Sequence, residues 1–94
     1  MSTEANATED LAMRRRRLKF RAWHRGMREV DLLLGRFADA YLDDLDPDEL
    51  AGFEALLEIP DREVLSWIIG ETPTPAEEDS PILRRIVAFH NRRG

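Results

Sequence analysis

A chain of 94 residues with 43% hydrophobic side chains holds enough apolar material for one modest core, and its formal net charge of −5 speaks against a general polyanion binder. The absence of cysteine excludes a disulfide scaffold, thiolate metal sites and a cysteine nucleophile. The opening MSTEANATED lacks the character of a secretion signal or transit peptide, and no apolar run approaches the roughly 20 residues that span a bilayer. The expectation is a soluble, cytoplasmic protein with no membrane insertion.

Charge is distributed unevenly. Residues 1–36 sum to +4, residues 37–79 to −13 and residues 80–94 to +4. Such asymmetry implies a directional field able to steer a partner into register.

In chain order, residues 1–10 are acidic and lack periodicity, and are read as a disordered tail ahead of a single domain over 11–94. Asp10 can cap a first helix over 11–24, with Met13, Phe20 and Trp23 or His24 near its apolar face, Leu11, Leu18 and Ala22 beside them, and Arg14 to Arg17, Lys19 and Arg21 on the other side. Gly26 ends that helix. Val30, Leu33, Leu34, Phe37, Ala38 and Tyr41 then repeat at helical spacing and predict a second helix over 27–42, in which Gly35 permits a close helix contact. Asp46, Pro47 and Glu49 form a cap, a first-turn proline and a capping box for a third helix, whose buried stripe is Leu50, Phe53, Leu56 and Leu57. Pro60 interrupts it. A short fourth helix starts at Asp61, buries Val64, Leu65, Trp67, Ile68 and Ile69, and stops at Gly70. GETPTPAEED over 70–79 reads as an exposed loop, and Ser80-Pro81 starts a fifth helix carrying Ile82, Leu83, Ile86, Val87, Phe89 and His90. The fold class is an all-α bundle of about five short helices.

Chemistry is sparse in this pattern. Two distant histidines give no metal-ligand spacing, the three serines sit in a tail, a helix and a cap, and there is no glycine-rich phosphate loop. Autonomous catalysis is therefore not expected. The Arg14 to Arg17 run invites a nucleic-acid reading, but it has no interleaved stacking aromatics and the chain is acidic overall, so nucleic acid is not expected as a partner. A small helical adaptor, or a nucleic-acid-associated regulator using the basic first helix, is the alternative function. No apolar stripe is left over once five helices share a core, so a monomer is expected.

The junction His24-Arg25-Gly26-Met27-Arg28-Glu29-Val30-Asp31 admits two readings. In one, Gly26 caps the second helix, Glu29 at the third position reaches back to a free amide, and Arg25 satisfies the last carbonyls of the first helix. In the other, two helices meeting at a glycine present a guanidinium, backbone amides and a carboxylate to a partner.

Arg25-Gly26-Met27-Arg28-Glu29 resembles the RGxxE signature of the succinate dehydrogenase assembly factor 2 family, also called the SdhE or FAD assembly factor family. The resemblance continues through Val30-Asp31, Phe37, Tyr41, the acidic turn before Leu50 and Phe53, and Leu65-Ser66-Trp67-Ile68, covering roughly residues 14–91. It implies a small five-helix factor that binds the flavoprotein subunit of succinate dehydrogenase, with fumarate reductase as a further client in some bacteria, and promotes covalent attachment of FAD to a histidine of that subunit. It also implies that Arg25, Gly26 and Glu29 lie in the contact with the flavoprotein, with His24, Met27 and Asp31 as neighbours. The factor itself would hold no cofactor permanently and act on FAD bound by its partner.

Overall fold

A computed structural model of the chain describes the backbone of residues 3–93 and the side chains of residues 10–92. Over that range it is all-α, with five helices: α1 (Thr3–Trp23), α2 (Arg28–Tyr41), α3 (Pro47–Leu57), α4 (Asp61–Ile68) and α5 (Pro81–Arg93). Single 3-10 turns at Leu42–Asp44 and Ala76–Glu78 complete the regular structure.

The first helix departs from expectation twice. It begins at Thr3 rather than near residue 11, so the segment read as a disordered tail enters the helix, and Asp10 is an interior residue instead of a cap. The physical reason is that no proline or glycine interrupts residues 3–23. For Met1 and Ser2 the expected disorder falls outside the described residues. The buried face also differs. Leu18 and Ala22 are buried and Leu11 packs against the core, whereas Met13 and Phe20 face outward.

The basic and acidic blocks meet inside the molecule. Arg14 pairs with Glu54 at 3.2 Å, Lys19 with Asp43 at 2.9 Å and Arg21 with Glu58 at 3.2 Å, so α1 lies along the acidic α3 side of the bundle. Arg15 donates from Nη2 to the Leu45 carbonyl at 2.8 Å. Much of the charge asymmetry therefore sets the register of α1 on its neighbours. Each exposed pair contributes only about 0.2–1 kcal/mol, so the pairs orient what the apolar core holds.

The second helix is the centre of that core. Val30, Leu34, Phe37 and Ala38 are buried on it, as the periodicity predicts, with Leu33 and Tyr41 partly buried beside them. Phe37 packs against Phe53 of α3 and meets Phe89 of α5 edge-on, at centroid distances of 6.1 and 5.7 Å. At Gly35 the last residue of α1, Trp23, lies directly against α2. A Cβ built there would lie 2.3 Å from the Trp23 ring, so the indole can lie on the helix only because the side chain is absent. Trp23 Nε1 donates to Asp39 at 3.2 Å and fixes the ring in that position.

The starts of α3 and α5 follow the expected chemistry. Asp46 accepts from the Glu49 amide at 2.8 Å while Glu49 accepts from the Asp46 amide at 3.0 Å, closing the capping box. Ser80 Oγ accepts from the Leu83 amide at 3.2 Å. In α4 only Val64 and Ile68 are fully buried. Leu65 and Trp67 are half-buried, and Ile69, expected in the core, is exposed because it sits past the last turn of the helix beside Gly70.

Candidate functional site

Three segments converge at the α1–α2 corner. Gly26 has φ +109°, a conformation that side chains rarely adopt, and nothing lies within 4 Å of where its Cβ would be. The glycine is required by backbone geometry alone, and it leaves an open surface. The N-cap of α2 is Met27, which makes no side-chain capping bond, so Glu29 is the second helical residue rather than the third. The capping box between Gly26 and Glu29 is therefore not formed. Its place is taken by Asp31, whose Oδ1 accepts from the Arg25 amide at 2.6 Å and ties the two sides of the corner together.

Arg25 turns inward. Its Nε donates to Asp61 at 2.7 Å, Nη2 to the Ile59 carbonyl at 2.7 Å, and Nη1 to the Leu57 carbonyl. The side chain is only 10% exposed and Asp61 only 17%. Arg25 thus satisfies carbonyls at the end of α3 rather than those of α1, and one planar guanidinium holds the corner to the α3–α4 turn. In this conformation it positions the corner and does not project from it. Asp61 was missed as a site residue by sequence reasoning, because it is remote in the chain and reads only as a helix start.

The remaining candidates divide by orientation. Met27 is half-buried against the core. His24 is exposed, and its Nδ1 lies 2.7 Å from the Phe20 carbonyl. A carbonyl only accepts, so Nδ1 carries the proton in this contact. Glu29 is exposed, and its carboxylate has no hydrogen bond or ion pair among the described residues.

Beside Glu29 lies a groove of about 520 Å³ between α2, α4 and α5. Glu29, Leu32, Leu33 and Arg36 form its α2 wall at helical spacing, with Leu33 on the border of the core face. Leu65, Ile69, Phe89 and His90 form the other walls. The arrangement is a largely apolar trough with a carboxylate and a guanidinium seven positions apart on its rim, a geometry suited to binding another protein. The signal in the sequence was the Leu32-Leu33-Leu34 triplet, one leucine more than a single core face takes.

A family profile described as the flavinator of succinate dehydrogenase matches residues 16–90. FAD assembly factor SdhE of Acetobacter pasteurianus is 48% identical over 86 residues, covering 92% of this chain and 79% of that protein. Succinate dehydrogenase assembly factor 2, mitochondrial, of Drosophila grimshawi is 40% identical over 77 residues, covering 80% of this chain and 52% of that protein. Its namesake in Dictyostelium discoideum is 31% identical over 81 residues, covering 86% and 57%. The chain spans about half the length of these mitochondrial relatives. Similarity of this extent runs through every helix and both sides of the corner, and the chain belongs to the succinate dehydrogenase flavinator family of assembly factors.

Proposed function

We propose that this chain binds the flavoprotein subunit of succinate dehydrogenase through the α1–α2 corner and the adjoining groove, and promotes covalent attachment of FAD to a histidine of that subunit. The flavoprotein of fumarate reductase is a second client on the same reading. The observation that carries the proposal is the division of labour within Arg25-Gly26-Met27-Arg28-Glu29: the arginine is locked inside, the glycine stands open at the corner, and the glutamate lines an apolar groove. Gly26 lets a partner approach the backbone, Glu29 supplies an unpaired acceptor for a donor on the flavoprotein, and the groove takes apolar side chains next to it.

The factor acts by position. Joining histidine to flavin requires the two to be held in line, and alignment alone is worth large rate factors. A bound factor that favours the aligned arrangement of the flavoprotein shifts its population toward the reactive state without contributing a reacting group. On this reading the chain is not an enzyme, holds no FAD of its own, works in the cytoplasm and is monomeric when free.

In-gel fluorescence of the denatured flavoprotein reads covalent flavin alone, because denaturation removes loosely held FAD. Deleting the gene should dim the band and restoring the wild-type gene should return it. An unchanged band in the deletion strain would contradict the proposal.

A further inference from the structure

The outer side of α1 carries a stripe that the fold does not use. Met13, Arg17, Phe20 and His24 recur at helical spacing with Arg16 beside them, and all five are exposed. Met13 and Phe20 are 60% and 64% exposed and are two of the three exposed large hydrophobic residues among those described. Single exposed hydrophobics are ordinary, but these lie about 10 Å apart along one helix face and border a shallow groove with Arg16 and Arg17. Phe20 is also held in place. The His24 ring stacks on it at a centroid distance of 4.0 Å and is itself fixed by the bond to the Phe20 carbonyl. An aromatic side chain ordered in advance loses little conformational freedom on docking.

The charge around the stripe is selective. Arg14, Lys19 and Arg21 each have a carboxylate partner and Arg15 has the Leu45 carbonyl. Arg16 and Arg17 have no hydrogen bond or ion pair among the described residues. Of the six cations over residues 14–21, Arg16 and Arg17 are thus the two with no partner among the described residues, and both lie between the two exposed apolar residues in sequence.

We infer that this stripe is a second docking surface for the client flavoprotein, taking a segment that presents apolar side chains between carboxylates; the inference rests on the function proposed above. A second copy of this chain fits worse. An antiparallel pair of α1 helices that laid Met13 on Phe20 of the other copy would bring Arg16 and Arg17 of both together at the centre, where like charges repel. An anionic bilayer also fits worse, because two free cations fall short of the roughly four to eight that such surfaces recruit and the chain is acidic overall. The stripe shares no lining residue with the groove beside Glu29. Phe20 and His24 do border the cleft at Arg25 and Asp61, so the stripe runs into the corner from its far side.

Two full-length proteins, one with a benzophenone amino acid at position 20 and one with it at position 33, are each irradiated with purified FAD-loaded flavoprotein subunit. Crosslinked peptides are mapped by mass spectrometry. The inference expects the position-20 probe to label a carboxylate-rich apolar segment distinct from the one labelled at position 33. It also expects R16E/R17E to weaken binding about tenfold, with a flatter salt dependence and unchanged helical circular dichroism. Labelling from position 33 without labelling from position 20 overturns the inference and leaves the proposed function standing. Labelling from neither position overturns both. Sedimentation of the free protein with phosphatidylglycerol vesicles that R16E/R17E abolishes, or a position-20 crosslink between two copies of this chain, reassigns the stripe and overturns the inference as well.

Discussion

Arg25 and Glu29 sit four positions apart and invite the same treatment, yet one donates to three acceptors and the other has no partner among the described residues. Replacing Arg25 by alanine leaves the Leu57 and Ile59 carbonyls and the half-buried Asp61 carboxylate without their donor. The expected loss is about 3 kcal/mol, read as a lower urea midpoint at unchanged slope. Arg25→Lys should recover less than half of that, because an ammonium cannot reach three acceptors in a plane. Glu29→Ala should change stability by less than about 1 kcal/mol, the size of a first-turn dipole contribution, while reducing flavinylation. Gly26→Ala should cost about 1–2 kcal/mol through its backbone angle alone, since the space around it is open. The sequence showed that these residues belong together, but not that Arg25 faces inward, because its acceptors lie more than thirty positions away in a turn with no signature of its own.

Among the helices, those with end signals were the most legible. The capping box at Asp46 and the serine cap at Ser80 follow from short-range chemistry, and both are present. The α1 face was illegible for a definite reason: Leu11 and Leu18 share one seven-residue spacing and Met13 and Phe20 share another, on opposite sides of the same helix. What decides between them is long-range. Ala22 is small and fully buried, and Arg14, Lys19 and Arg21 find carboxylates on other elements while Arg16 and Arg17 find none among the described residues. Leu18→Ala should therefore destabilise by about 2–5 kcal/mol and Phe20→Ala by less than about 1 kcal/mol, the reverse of the order that the sequence pattern suggests. Gly35→Ala drives a methyl into the Trp23 indole and should cost at least about 1–3 kcal/mol, with a changed Trp23 fluorescence as the local report.

For the whole molecule, the all-α class and the order of five helices could be read from periodicity and punctuation, because each helix carries its own apolar stripe. The groove beside Glu29 was signalled only by the extra leucine of Leu32-Leu33-Leu34, since it is made by three elements and defined by what the core leaves uncovered. No helix among the described residues is long and apolar enough to cross a membrane. Charge links the scales: the basic first helix and the acidic middle of the chain pair with each other, so molar salt should lower stability by only about 1 kcal/mol in all, and the charge left for a partner is local. The corner separates Arg25, which holds it together, from Glu29, which is left for a partner. The most direct test reconstitutes purified flavoprotein subunit and FAD with wild-type chain or Glu29→Gln, reading binding and denaturation-resistant flavin fluorescence from the same samples. Glu29→Gln, folded and as stable as wild type, should bind more weakly and yield less covalent flavin. Full binding and full flavinylation by Glu29→Gln would contradict that separation.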